Sequence, residues 1–376
     1  MASFSLAAGT LELAARRTGD RFAGIRWFWV VLFCVALMAG PAYNTFFHYD
    51  LAHNPDCLSY YQMAQGNYDV TVTHKYRIVV PLLAKAVNAP LDGIYGVIWP
   101  HRNFSAARLR FSFFLVNLTL MSVMGMVLFR TCQAYDLSAL ASAVAVTGLL
   151  SSRWANYAAG TPLVESFNWL CVSLVFLAIK IKNGRLLALA ILLGPLSKES
   201  FVFIAPATLL FGNLRLRTQF VLYAIAALMV LAVHYFVDLY FPVTGAGSVQ
   251  NALNTLWSIP DSLKRIFSAG GIGEIFSLLG FFNLFWILAV FRPNGRKVWQ
   301  TIDAPLLFLL ASVTFQALIS TSIVRMLFAA GPLWVVLLGT GFQQWQEWIT
   351  GTEKRKPEEV GSAPVEGFPS NQRSVA

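Results

Sequence analysis

Charge is what this 376-residue sequence has least of: only 12% of its residues are Asp, Glu, Lys or Arg. A soluble globular domain carries about 25%. A chain this poor in charge cannot face water on all sides, which excludes an ordinary soluble fold. A polar linker is also missing before the C-terminal tail, although a soluble chain of this length would divide into about two or three domains. Cysteine is scarce: Cys34, Cys132 and Cys171 lie in or beside apolar segments, and Cys57 lies in a loop. With no CxxC pair and no evenly spaced framework, neither a disulfide scaffold nor a zinc site is expected. There is no P-loop, no GxGxxG after a strand and no GxSxG elbow, so no signature of nucleotide-driven or serine-hydrolase chemistry. No internal repeat of the kind many transporters carry stands out.

What the sequence does have is apolar length. Hydrophobic residues make up 57% of the chain and the mean hydropathy is +0.60. The net charge of +10 raises nucleic acid as a partner. The basic residues, however, sit in short clusters between apolar runs, a pattern suited to juxtamembrane loops held by anionic lipid. Membrane lipid, not nucleic acid, is the expected partner. Arg16, Arg17, Arg21 and Arg26 precede the first apolar run, which has no small-residue cleavage site at its end. It reads as a retained helix rather than a removed signal peptide.

A helix needs about 20 apolar residues to cross a hydrocarbon core about 30 Å thick. The candidate spans are 27–47, 109–129, 137–151, 163–181, 186–196, 200–212, 218–241, 275–291, 304–322 and 326–342. The expectation is therefore an all-α polytopic membrane protein with about ten transmembrane helices. It divides into a cytoplasmic N-terminal segment (1–26), a transmembrane domain (27–342) and a flexible, polar cytoplasmic tail (343–376).

Segments 186–196 and 200–212 are each too short to cross alone. They form either one kinked helix around Gly194-Pro195 or a hairpin turning at Ser197-Lys198-Glu199. The positive-inside rule separates the two. The hairpin gathers the N-terminal arginines, Arg130, Lys180, Lys182, Arg185, Arg215, Arg217, Arg292, Arg296, Lys297 and the basic tail on the cytoplasmic side, more than half of the 28 basic residues. The single helix leaves fewer than half there. The hairpin is the expected form, with both termini cytoplasmic. Two helices this short bring their shared turn below the outer surface, where a loop backbone must line a cavity. That predicts a depression with Lys198 and Glu199 at its floor. In the long first outer loop, Cys57–Gly66 and Tyr76–Asn88 have apolar residues at helical spacing and read as short interfacial helices; Val249–Phe267 reads as a third, in a later loop.

Ionisable residues at membrane depth are costly and mark functional sites. Under this topology Glu165, Lys198, Glu199, Asp238 and Arg325 all fall at outer helix ends, while Asp50, Asp56 and Arg77 lie in the first outer loop. Any chemistry is expected at that face.

Several stretches there carry a resemblance. Asp56-Cys-Leu-Ser-Tyr60-Tyr61-Gln-Met-Ala64 follows the first span and precedes Tyr76-Arg77-Ile-Val-Val-Pro81-Leu-Leu. Further on come Thr161-Pro162-Leu163-Val164-Glu165 opening a span, Ser197-Lys198-Glu199-Ser200 with Pro206, and Arg325 followed by Pro332. In their order, over most of 27–342, these motifs resemble the bacterial GT-C-type glycosyltransferases that take sugars from polyprenyl-phosphate carriers. The resemblance implies a GT-C-like fold and an inverting transfer at the outer face of a bacterial inner (plasma) membrane. The implied partners are a polyprenyl-phosphate sugar donor and a glycan, lipid or protein acceptor, with no cofactor.

Asp56 matches the family's loop aspartate, the general base that takes the proton of the attacking hydroxyl. Where many relatives carry two adjacent acidic residues, this chain has Pro55-Asp56, and Asp50 is the rival base. Asp56 also reads as an N-cap of the helix that follows it. Arg77, Lys198 and Arg325 suit the donor phosphate, whose departing negative charge needs fixed cations. The bland readings are that Arg77 snorkels to headgroups, Arg325 bonds exposed backbone carbonyls in a turn, and Lys198 pairs with Glu199 or Glu165. Glu165 and Glu199, with Tyr60 and Tyr76, complete the implied pocket, although Glu165 equally reads as an acidic first turn and the loop tyrosines as headgroup anchors. His48, Asp50, His53 and Asp56 match no established metal motif, and no metal is expected. The alternative function is a transporter or flippase for a lipid-linked or anionic solute, which needs ionisable groups near the midplane. A noncatalytic membrane subunit is a further alternative.

Overall fold

The structure, a computed structural model, describes residues 27–98, 105–242, 259–291, 296–320 and 323–350. The expected N-terminal segment and most of the expected tail lie outside the described residues. Among those described, regular structure is helical throughout, with no strand. Helix α1 (Trp27–His48) leads to a short 3-10 turn (Leu51–His53), α2 (Pro55–Gln65), α3 (Val72–Lys75) and α4 (Val79–Ile98). Then come α5 (Ser105–Ala134), α6 (Ala139–Leu150), α7 (Arg153–Gly160), α8 (Glu165–Lys180) and α9 (Gly184–Ser197). A 3-10 turn (Glu199–Phe203) and α10 (Ala205–Phe211) precede α11 (Leu216–Tyr240). The last part comprises α12 (Ile259–Ile266), α13 (Ala269–Ser277), α14 (Asn283–Val290), α15 (Arg296–Thr301), α16 (Ala304–Leu318), α17 (Ile323–Leu327) and α18 (Gly331–Ile349).

Among the described residues, four stretches are long and apolar enough to cross a membrane: α1, the bulk of α5 (Ala107–Ala134), α11, and the run Ile323–Ile349 that joins α17 to α18. Shorter apolar helices, among them α6, α9, Glu199–Phe211 and α16, pack between them. Helix α8 is the centre of the bundle, with every residue from Glu165 to Ile179 buried except Leu174. Small residues let neighbours approach, as at membrane helix interfaces generally. A Cβ on Gly160 would meet the Ala42 carbonyl oxygen at 2.5 Å, so α7 lies directly on the backbone of α1.

The bundle has two polar ends. At the first, Arg110 near the start of α5 donates to the carbonyls of Phe46 in the last turn of α1 and of Tyr49 just past it. At the far end, Tyr135 and Lys180 both reach Asp303, which caps α16. There Arg130 also lies over the Trp27 ring.

The expected hairpin is present. Gly184 packs against Leu214, Leu187 against Gly212, and Gly194 against the Phe201 ring. Contacts that converge in this way on the turn belong to two antiparallel arms. At its tip, Lys198 leaves α9 with extended backbone, and the Ser197 hydroxyl donates to Asn168 on α8.

Other expectations need correction. The span 137–151 is not among them: α6 ends at Leu150 as expected, Ser152 caps the separate helix α7, and the Asn156 amide donates to the carbonyls of Ser151 and Ser152. The expected span 275–291 is two pieces. Gly280, at φ +52°, turns the chain, and the Asn283 amide donates to the freed carbonyls of Phe276 and Gly280. In both places a side-chain amide satisfies backbone groups that hydrocarbon cannot. Helix α4 is a single 20-residue helix on α5, longer than the interfacial helix expected over Tyr76–Asn88. Helix α18 continues past Phe342 to Ile349, beyond the expected start of the tail.

Candidate functional site

At the first end the local sequence aims each side chain. Asn54 caps α2: its side-chain oxygen accepts from the Asp56 amide at 2.9 Å, and its amide donates to the Tyr157 hydroxyl at 2.6 Å. Asp56 is therefore not the cap but sits in the first turn, with its carboxylate free to face inward. Asn117 on α5 plays the same part for Glu165. Its amide donates to the carbonyls of Thr161 and Leu163, holding the Pro162 segment extended so that α8 begins at Glu165. Lys198 is set by the hairpin tip. Arg325 is set by α17, which a 3-10 turn (Phe328–Ala330) ties to α18 and whose far side is fixed by the Phe328–Trp169 ring contact at 4.2 Å.

These segments bring their charges into one chain of contacts. Arg325 Nη1 donates to Asp56 Oδ2 at 2.6 Å, and its Nη2 lies 3.0 Å from Glu165 Oε1. Lys198 Nζ donates to the same Glu165 oxygen at 3.4 Å. His74 Nε2 lies 3.2 Å from Asp56 Oδ1. Beside this chain, Arg77 donates from Nε and Nη2 to Glu199 Oε2 at 2.9 and 2.7 Å, and from Nη1 to the Tyr60 hydroxyl at 2.9 Å. Glu165 is 1% exposed and Lys198 6%, so charges at this pair are screened less than at an exposed surface.

Burial alone would raise the pKa of Asp56, but the His74 hydrogen bond and the Arg325 guanidinium outweigh it and hold the carboxyl well below the usual carboxylate range. Burial pushes the Tyr60 phenol up, so it stays protonated while accepting from Arg77. Three buried polar atoms here have no hydrogen-bond partner among the described residues: His74 Nδ1, Glu165 Oε2 and Arg325 Nε. Buried polar atoms are nearly always satisfied, so orphans gathered in one place call for an explanation.

Asp56, Glu165, Lys198 and Arg325, all singled out in the sequence, are in direct sequence of contact, and Arg77, Glu199 and Tyr60 stand beside them. Lys198 pairs with Glu165, leaving Glu199 to Arg77. Asp50 is outside the cluster, exposed and 3.1 Å from His53. Tyr60 is fully buried, so it is a core side chain and not a headgroup anchor. Tyr76 stacks on His234 of α11 (centroids 3.5 Å apart) and donates to Asp238 at 3.0 Å. Burial, then that bond, pushes its phenol up to about 12. Lys75 also holds Asp238, at 2.8 Å, and donates to the Phe241 carbonyl. Between this tie and the hairpin tip lies a cavity of about 20 Å³ lined by Tyr76, Arg77, Lys198, Glu199 and His234 among others. That is room for about one water.

His74, Tyr157 and the Lys75–Asp238 tie were not foreseen. The signal available for His74 was weak: a lone histidine in a polar stretch, two residues from Tyr76-Arg77. Against this geometry, no protein-family model matches the chain, and neither a curated protein nor a solved structure does so.

Proposed function

We propose that the chain is an inverting glycosyltransferase of GT-C type, crossing a bacterial inner membrane about ten times with both termini cytoplasmic. It moves a sugar from a polyprenyl-phosphate carrier to a glycan, lipid or protein acceptor at the outer face. The observation that carries this reading is the contact chain Asp56–Arg325–Glu165–Lys198, in which a carboxylate meets cations and polar atoms stand unsatisfied.

The chemistry needs those groups. As the acceptor oxygen bonds to the anomeric carbon, its proton passes to Asp56 and the bond from that carbon to the phosphate oxygen breaks. The phosphate turns from a singly charged diester into a doubly charged monoester, so negative charge grows where Arg325, Lys198 and Arg77 are gathered. In the resting cluster three carboxylates (Asp56, Glu165, Glu199) already balance these three cations. An arriving phosphate must therefore displace a carboxylate. Asp56 is the least buried acid on Arg325, and once the phosphate takes the guanidinium, Asp56 loses the charge that keeps it a weak base. Donor binding thus readies the base. The cavity must also widen, and the end of α11, held by Tyr76 and Lys75, is the wall that moves.

Sugar transfer from labelled polyprenyl-phosphate donors to membrane-extract acceptors, by the purified chain in nanodiscs, tests this. Asp56→Asn is expected to lower transfer about 100-fold or more with folding retained. Undiminished transfer would remove Asp56 as the base. Absence of transfer by the wild type with every such donor, together with solute flux in proteoliposomes, would favour the transporter. Against transport stands the gathering of cations at one end rather than at the midplane.

A further inference from the structure

The far end of the bundle carries a second charged feature of opposite design. An open hollow of about 860 Å³ is lined by Arg130 from the end of α5, by Ile181, Lys182 and Asn183 between α8 and α9, by Gly184, Arg185 and Ala188 of α9, and by Leu214. Three cations line it, and among the described residues no carboxylate does. None of Arg130, Lys182 or Arg185 has an ion pair among the described residues, whereas Arg77, Lys198 and Arg325 at the first end are all neutralised.

The hollow is also built rather than merely exposed. The Asn213 amide donates to the Lys182 carbonyl, and Gly184 fits against Leu214 so closely that a Cβ there would come within 2.8 Å of that side chain. Asn183 caps α9 through the Leu186 amide at 3.1 Å. Lys182 occupies the position after α8 in the left-handed region, at φ +52°. There the Asn183 amide closes on the Ala178 carbonyl and the Lys182 amide on that of Ile179, the geometry of a helix end that normally takes glycine. A lysine in this conformation is strained, and glycine would relieve the strain. Strain kept at a residue whose charge faces a preformed hollow points to a use for that charge.

We propose that this hollow binds a phosphate-bearing anion, and specifically the headgroup of an anionic phospholipid. Arg130, Lys182 and Arg185 hold the phosphate, and the apolar wall of Ile181, Ala188 and Leu214 meets the first carbons of the acyl chains. The apolar wall and the place beside Trp27, at the end of a helix able to cross a membrane, favour the lipid over a soluble anion. The proposal is independent of any activity at the other end.

The full chain is purified, reconstituted in phosphatidylcholine vesicles doped with phosphatidylglycerol, and lipid retention is read by native mass spectrometry after detergent extraction. Wild type is expected to retain phosphatidylglycerol over phosphatidylcholine. The triple change Arg130→Gln, Lys182→Gly, Arg185→Gln is expected to weaken that retention about tenfold or more. Lys182→Gly alone guards against misfolding: it is expected to keep or raise the unfolding temperature while lowering phosphatidylglycerol retention. Displacement by inorganic phosphate would assign the site to a soluble phosphate and overturn the lipid assignment; resistance to it supports the lipid. Equal retention of the two lipids by wild type, or unchanged retention in Lys182→Gly and the triple variant, would overturn the proposal.

Discussion

Arg325 and Asp56, 269 positions apart in sequence, meet at 2.6 Å, and the same guanidinium lies 3.0 Å from Glu165. One planar cation thus bridges two carboxylates from two different segments, one of them fully dry. Arginine's fixed fork suits this bridge; lysine, a point charge, serves one partner at a time. Arg325→Gln is expected to lower sugar transfer about 100- to 1,000-fold. Arg325→Lys should recover part of that loss. Values of kcat/KM for both variants, set beside their unfolding temperatures, check this; equal activity of Arg325→Gln and wild type would detach the guanidinium from the reaction.

Glu165 is the shared counter-charge of Arg325 and Lys198. Glu165→Gln leaves both cations buried with one negative partner fewer, a loss of about 3–5 kcal/mol. Replacing Lys198 by Met in the same chain removes the surplus cation, so the double variant is expected to unfold later than Glu165→Gln alone. Chemical denaturation in detergent measures both.

The acidity of Asp56 gives a pH test with a definite sign. Its folded carboxyl lies below the unfolded value, which is about 3.9. The stability it contributes is therefore fully present above that value and is lost as pH falls through the lower, folded one. The stability gap between wild type and Asp56→Asn should be flat from about pH 5 to 8 and shrink below about pH 4. His74→Phe removes one of the bonds that hold the carboxyl down, so the gap should be smaller at neutral pH and its loss should be complete at a higher pH, with the onset unchanged.

The orientation of the bundle can be read by thiol labelling. His53 and Asn183 are exposed at opposite ends, while Cys34, Cys57, Cys132 and Cys171 are all buried. The native thiols should stay silent toward a membrane-impermeant reagent. In intact cells His53→Cys is expected to react from outside and Asn183→Cys only after lysis. The reverse pattern would invert the topology.

Much of this arrangement was legible in the residues because it rests on strong, local signals. Apolar length marked the helices, and the short arms around Ser197-Lys198-Glu199, weighed against the placement of basic residues, marked the hairpin. Glu165, Lys198 and Arg325 were legible because charges at helix ends beside apolar runs are costly, and Asp56 was legible through the resemblance of its loop. The break at Gly280 was not, since an apolar window averages over one Gly. The amide that mends it, Asn283, acts through backbone geometry that hydropathy does not register. His74, and the tie from Lys75 and Tyr76 to Asp238, escaped for another reason: their partners come from tertiary apposition, more than 160 positions away in the case of Asp238.

Of the 25 residues of α11 only Gln219 and Ala226 are buried, and the helix packs mainly along α9. Its outer flank has acyl chains for company, and these yield without breaking any protein contact. Resistance to swinging its tip outward comes largely from the aromatic stack of Tyr76 on His234 and the bonds to Asp238. The tip is therefore held on one side by α9 and at its end by Lys75 and Tyr76. Under the proposed function, an opening there would join the hydrocarbon directly to the ammonium of Lys198 and give a lipid carrier a path to the charges within the bilayer.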